Sequence, residues 1–383
     1  MKTLYNALLV RFLLVAALYP AVSGGSLRKV WELDLGAEIK GPLASEGIQP
    51  GILAVRFSPD GKRIAVAGNP FRFGQPAMSR LIVVQVSSPR ENIQRFGIEF
   101  ASDSEFFGPG GPPAVAWSPA EDLILAGRSI VRLRDGASCE IPNSHGWGFL
   151  RPNRIVAGVL LGIDQGVARS RIEFFDSECK SGGSWDPEYP DWSITDLSPE
   201  RGFVSVGRRN SPRPDAPREI EILDPIARKV IRSWPAAQSG YESRFADYGR
   251  VLCVGDGGAD LYENRRVPPR CMDVDTGEKI AEARGIIGGA PFAAAEHGSR
   301  VVASDHSSTF NLRFREYDTA LKRRVVWDFR KNAEIASWKP DMQTYSLLGG
   351  KPAKEPFVFA ISPDGEYVAE GGNGILRLYK IEP

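Results

Sequence analysis

Few residues in this chain have types and spacings that could do chemistry. Three histidines occur among 383 residues, His145, His297 and His306. A metal centre or an acid–base site would need them to converge, and they are scattered. His297 stands in a strand-connecting turn, where a structural role is expected. Asp305-His306-Ser307-Ser308 contains acid, base and nucleophile types. Neighbours along one strand do not make a triad, because the three groups must face one another. Asp273-Val274-Asp275-Thr276-Gly277-Glu278 has the look of a calcium loop but lacks the spaced third carboxylate and the later Glu. No G-x-S-x-G elbow, phosphate loop or H-E-x-x-H helix is present. No catalytic residue, metal or cofactor is therefore expected.

Four cysteines remain: Cys139, Cys179, Cys253 and Cys271. None has the C-x-x-C spacing of a zinc or redox motif. Their even number suits disulfides in an exported chain. Export is read from the first residues. Lys2 and Arg11 precede the short apolar run Phe12 to Tyr19, and Ala21-Val22-Ser23 supplies a cleavage site. Residues 1–23 thus read as a signal peptide, an uncleaved anchor being the alternative. The apolar run is too short to span a bilayer, and none of sufficient length follows. Removing Lys2 and Arg11 leaves 46 basic against 47 acidic residues. That near-neutral balance argues against a nucleic-acid or membrane-surface binder.

The elements that would position any site come from a repeat. Ala54-Val55-Arg56-Phe57-Ser58-Pro59-Asp60-Gly61 leads into Ile64-Ala65-Val66, and Phe359-Ala360-Ile361-Ser362-Pro363-Asp364-Gly365 leads into Tyr367-Val368-Ala369. Both read as strand, tight turn, strand: Pro fixes φ, Asp bonds the following backbone, and Gly takes the positive φ. Weaker copies centre on Pro119, Pro152, Pro199, Asp247 and Glu296, making seven, spaced 33 to 67 residues apart. Further hairpins follow in several units. Ile220 to Asp224 precedes Lys229-Val230-Ile231, Cys271 to Gly277 precedes Lys279-Ile280, and Phe314 to Asp318 precedes Arg324 to Trp327.

The last unit, from Phe357, has only three strands, and the segment Val30 to Ile39 is a strand without a partner. It aligns without a gap to Val326 to Ile335, whose Val326-Trp327 is read as the fourth strand of the sixth unit. The N-terminal segment is therefore expected to be a fourth strand that closes the last unit, removing an open sheet edge. This predicts an all-β fold, a seven-bladed β-propeller occupying residues 24–383 as a single domain. An open β-sandwich or two smaller β domains is the competing architecture.

The S-P-D-G units, with Val30-Trp31-Glu32 and Val326-Trp327-Asp328 as near forms of a V-W-D strand, resemble WD-repeat propellers. The resemblance covers nearly all of the chain after the signal, although the Gly-His opening of the repeat is absent and no subfamily is indicated. It implies a rigid platform on which second-to-third-strand loops share one channel face. Function concentrates on loops held by such scaffolds. Long loops of this class run from Gly68 to Arg80 with Phe71, Arg72 and Phe73, from Gly207 to Arg218 with Arg208, Arg209 and Arg213, and from Gly255 to Pro269 with Tyr262 and Arg265. A fourth, Leu160 to Ser170, is mostly small residues. Arg and aromatic residues are the types enriched in binding hot spots. The face is expected to hold a protein partner or a small anionic ligand, on a monomer that is secreted or periplasmic. The alternative is a propeller enzyme, a lactonase or other hydrolase or a quinone-dependent dehydrogenase, working at the channel mouth. Cys253 and Cys271 fall on neighbouring strands of one unit and are the candidate disulfide. Cys139 and Cys179 lie in consecutive units, at a separation expected to exceed a disulfide's reach.

Overall fold

A computed structural model describes residues 25–40, 50–70, 78–99, 115–127, 129–141, 144–151, 154–164, 167–187, 191–209, 218–236, 241–256, 268–286, 288–311, 316–346 and 352–382. Seven four-stranded antiparallel sheets form the blades. Their first strands are Pro50–Phe57, Val115–Trp117, Ser144–Arg151, Asp191–Ser198, Tyr241–Ala246, Gly288–Ala294 and Val358–Ile361. Each lies beside the first strand of the next blade, and Val358–Ile361 lies beside Pro50–Phe57, so the ring is closed. The signal-peptide reading of residues 1–23 falls outside the described residues.

Each blade is covered on both faces, which is why its strands read as unbroken apolar runs such as Ile64-Ala65-Val66-Ala67. Alternate side chains go to opposite neighbours. Ile64 and Val66 pack toward blade 7, while Ala65 and Ala67 pack toward blade 2. The same division yields seven buried clusters, one at every blade boundary. Trp117, Trp192, Trp234 and Trp327 are buried in four of them, so these tryptophans pack between blades.

The ring is closed by the predicted device. Ser26–Asp34 pairs antiparallel with Ile375–Glu382 as the outer strand of blade 7, from Ser26 opposite Glu382 to Asp34 opposite Ile375. The strand stops earlier than expected. Asp34 Oδ1 accepts the Gly36 N–H at 2.7 Å, and the helix Gly36–Lys40 replaces the expected continuation to Ile39. The turn lets Leu35 and Ile39 bury completely in the boundary between blades 7 and 1. Ile39 lies directly on Gly68, where an added Cβ would sit 2.7 Å from Ile39 Cγ1.

Two expectations for blade 6 are corrected. Val326 and Trp327 belong to its third strand, Glu316–Asp328, and the fourth strand is Ala333–Trp338. Glu316–Asp328 is also continuous, so Glu316 to Asp318 and Arg324 to Trp327, expected in two arms of a hairpin, lie on one strand, with Phe314 outside the described residues. The cause is its partner: Arg300–Asn311 pairs along almost the whole strand and keeps Thr319 to Lys322 extended. The hairpin Met342–Ser346 with Pro352–Pro356, inserted before the first strand of blade 7, was not anticipated.

Candidate functional site

The two ends of the ring are built differently. At one end the first-to-second-strand hairpins lock together. Ser58, Ser118 and Ser362 each bond an Asp of their own turn, at 2.6, 2.8 and 2.5 Å. Hairpins then bond across to other blades. Arg63 Nη2 donates to Glu121 Oε2 at 2.5 Å, the His297 N–H to Pro363 O at 2.8 Å, and Arg300 Nη1 to Gly365 O at 2.9 Å.

The opposite end carries extensions. In blade 6 the second and third strands run 12 and 13 residues, and the pairs from His306–Leu321 to Asn311–Glu316 lie past the end of the first strand. Blade 3 does the same on a smaller scale, Gly162 to Asp164 pairing with Val167 to Arg169. The segment from Leu160 to Ser170, expected as a loop, is therefore mostly hairpin. Its small residues and Val167 accept extended backbone, and only 165–166 separate the strands.

Most of the predicted face falls outside the described residues: Phe71, Arg72, Phe73, Arg213, Tyr262 and Arg265. Arg209 ends the second strand of blade 4, opposite Arg218. Arg208 lies beside it, its guanidinium donating to Glu219 Oε2 and Glu221 Oε1, both at 2.7 Å. That arginine anchors the base of the 209–218 connection. Burial pushes the Glu221 carboxyl above its usual range, with Arg208 pulling the other way.

A solvent-open cavity occupies the hairpin end of the channel, bordered by Arg56, Trp117, Asp196, Glu200 and Glu296, among others. Arg56 Nη2 donates to Glu296 Oε1 at 2.7 Å, joining blade 1 to the blade 6 hairpin across the intervening blade 7. Asp196 is buried in the wall, its Oδ2 accepting the Phe245 N–H at 2.6 Å. Desolvation raises its pKa, while the charges of Arg244 and then Arg56 pull it down. Behind it, the hydroxyls of Thr195, Ser205 and Ser243 form a buried triangle of 2.6, 2.6 and 3.1 Å sides.

At the cavity rim the structure assembles a group that sequence reasoning left apart. Glu200, Glu296 and His297 bring ligand-type atoms within 4.8 Å of one another. His297 Nε2 lies 3.5 Å from Glu200 Oε1, and its ring stacks on Tyr248 at 4.6 Å. Glu200, Tyr248 and His297 all replace the turn Asp in successive repeats, of blades 4, 5 and 6. Equivalent turn positions meet near the ring axis, so the shared departure from the motif was the available signal.

Both disulfides form. Cys253 and Cys271 are directly opposed partners on adjacent strands of blade 5, as expected. Cys139 and Cys179 are also joined, with Cα atoms 5.9 Å apart, correcting the expectation that the distance is too great. The outer strand of blade 2 packs against the third-to-fourth-strand turn of blade 3, where Cys179 takes a positive φ of 59° and accompanies Cys139 into the boundary cluster. Asp273 heads a turn, accepting the N–H groups of Asp275 and Thr276, consistent with its reading as hairpin chemistry.

No family model matches the chain, and no curated protein matches it. Among solved structures, a chain from "Crystal Structure of Mitotic Checkpoint Complex" is similar over 95% of both chains, with a TM-score of 0.57 and 10% identity. Matches extend to 566 solved chains, so the likeness speaks to architecture. The fold is a closed ring of seven four-stranded blades, a seven-bladed propeller. Two disulfides are compatible with an exported protein, and among the described residues no helix is long and apolar enough to cross a membrane.

Proposed function

We propose that this is an exported binding or scaffolding propeller that holds a protein partner, or a small anionic ligand, on the end carrying the second-to-third-strand connections. The observation that carries the reading is the asymmetry of the ring. The hairpin end is locked by repeated turn bonds, whereas the other end bears the extended hairpins of blades 3 and 6 and the inserted hairpin 342–356. A rigid body with variable projections at one end is the arrangement in which loops recognise partners. Arg208 and Arg209 end the second strand of blade 4 at that end, and the side chains assigned to its connections from the sequence, Phe71, Arg72, Phe73, Arg213, Tyr262 and Arg265, are of types that suit a protein hot spot or an anion. The similar solved chain belongs to a complex, which supports a protein partner. Nothing in the geometry favours the enzyme alternative.

Site-specific photo-crosslinking in the cells that make the protein tests this. Crosslinkers at Arg213 and Arg265 should each give the same discrete adduct, and one at Lys62 in the opposite hairpins should not. Absence of adducts from both loop positions, or an equal adduct from Lys62, would count against the reading. Cleavage after Ser23 is checked by the mass of the mature chain.

A further inference from the structure

We propose that Glu200, Glu296 and His297 bind a divalent transition ion of the zinc type at the hairpin end of the channel. Their ligand atoms lie within 4.8 Å of one another. Ligands about 2.1 Å from a tetrahedral zinc stand about 3.4 Å apart, so a contraction of little more than about 1 Å would bring the three onto one ion. All three side chains are partly exposed, and such movement displaces no core residue.

The geometry favours an ion over a simple ion pair. The donors come from two hairpins two blades apart, held in place by the closed ring. His297 is fixed by stacking on Tyr248, with 10° between the planes, and by its backbone bond to Pro363. Its Nε2 nevertheless stops 3.5 Å from Glu200 Oε1, longer than an ordinary hydrogen bond. Glu200 and Glu296 border the solvent-open cavity, which gives an ion a path and leaves room for water in its remaining coordination positions. Arg56 occupies Glu296 Oε1 and leaves Oε2 for the ion, so it would orient the carboxylate from outside the coordination sphere. Around the cavity Arg56 pairs with Glu296, and the charges of Arg244 and Arg56 act on Asp196. An imidazole nitrogen with two carboxylate oxygens suits zinc and its neighbours. Calcium would need six or more oxygens.

The test uses the full chain, stripped with a chelator and titrated with ZnCl2 by calorimetry, with metal content measured after dialysis. One equivalent of zinc should bind, and CaCl2 should give no saturable binding. Loss of outer-shell partners alone weakens metal sites about 10–100-fold, so Glu200→Gln and His297→Gln should weaken binding at least that far. Circular dichroism and thermal melting establish that each variant is folded. Independently of any variant, zinc should protect His297 of the wild-type protein from diethyl pyrocarbonate, as mapped by mass spectrometry. No saturable zinc binding, unchanged affinity in folded His297→Gln, calcium binding as tight as zinc, or unprotected His297 would each overturn the proposal. The proposal stands or falls separately from partner binding at the opposite end.

Discussion

The wholly buried Arg324 guanidinium donates to the Glu370 carboxylate at 2.6 Å, joining the third strand of blade 6 to the second strand of blade 7. Trp338 Nε1 donates to the same oxygen at 2.8 Å, Arg324 also donates to the Phe357 carbonyl, and its guanidinium lies over the Phe359 ring. Burial lowers the Arg324 pKa to about 10, opposed by Glu370. Removing one partner leaves the other charge in the interior. Arg324→Met should therefore lose about 3–5 kcal/mol of stability in urea unfolding. The double variant Arg324→Met/Glu370→Leu should recover much of that loss. Equal losses in the single and double variants would show that the pair is not coupled.

The disulfides should differ in what they contribute. Cys139–Cys179 closes a separation of 40 residues and links two blades, whereas Cys253–Cys271 closes 18 within one. Chain-entropy reasoning gives about 4 kcal/mol for the first and about 3 kcal/mol for the second. Cys139→Ser/Cys179→Ser should accordingly shift the unfolding midpoint more than Cys253→Ser/Cys271→Ser. The second double variant also loses packing, since both of its sulfurs are buried. Non-reducing peptide mapping should recover these two pairings and no other.

Asp196 predicts a pH dependence. Its folded-state pKa is raised above the usual 3.8, chiefly by burial, with Arg244 and Arg56 opposing and Glu296 reinforcing. As pH falls, the native state takes up this proton before the unfolded state does. Stability from this group therefore rises as pH falls through the folded value toward 3.8 and is lost as pH rises. Asp196→Asn keeps an acceptor for the Phe245 N–H and removes the cost of burying charge. Its stability advantage over the wild type should widen between about pH 4 and about pH 7. A constant difference across that range, followed by urea unfolding at each pH, would contradict the assignment.

The outer strand of blade 7 can be removed and restored. Deleting residues 26–40 should expose the Ile375–Glu382 edge and strip Leu35 and Ile39 from their cluster. The shortened chain should melt well below the full one and tend to associate through the bare edge. A peptide of residues 26–40 supplied in trans should bind and raise the melting temperature again. An unchanged melt after deletion would refute closure by this strand.

Much of the ring was legible in the sequence because its cause is local. Ser58-Pro59-Asp60-Gly61 and Ser362-Pro363-Asp364-Gly365 each encode a turn whose bonds stay within a few residues. The third strand of blade 6 was misread because Asp318 has the look of a strand end, as Asp224 is in blade 4, yet the strand runs on through Asp318 and Thr319. Its length is set by the opposite strand, Arg300–Asn311. Cys139–Cys179 was missed for a related reason, since the distance between two blades depends on how outer strand and turn nest. Arg324 with Glu370 left no trace, because nothing at either position says that one faces the other across a boundary. The rim group of Glu200, Glu296 and His297 was half visible. Its members are the odd residues of the repeat, but their convergence depends on the curvature of the ring.

Closure by Ser26–Asp34 also sets a timetable. Arg28 and its partner Glu382 are separated by 354 positions, so the strand Ser26–Asp34 must wait for Ile375–Glu382. At roughly 5–20 residues per second the interval is on the order of tens of seconds. Until then neither blade 7 nor its boundary with blade 1 can be completed, and a long-lived unpaired edge is open to chaperones or to other copies of the chain. A stall or early stop before Ile375 would leave six blades with nearly all their side chains in place and no seventh to seal them.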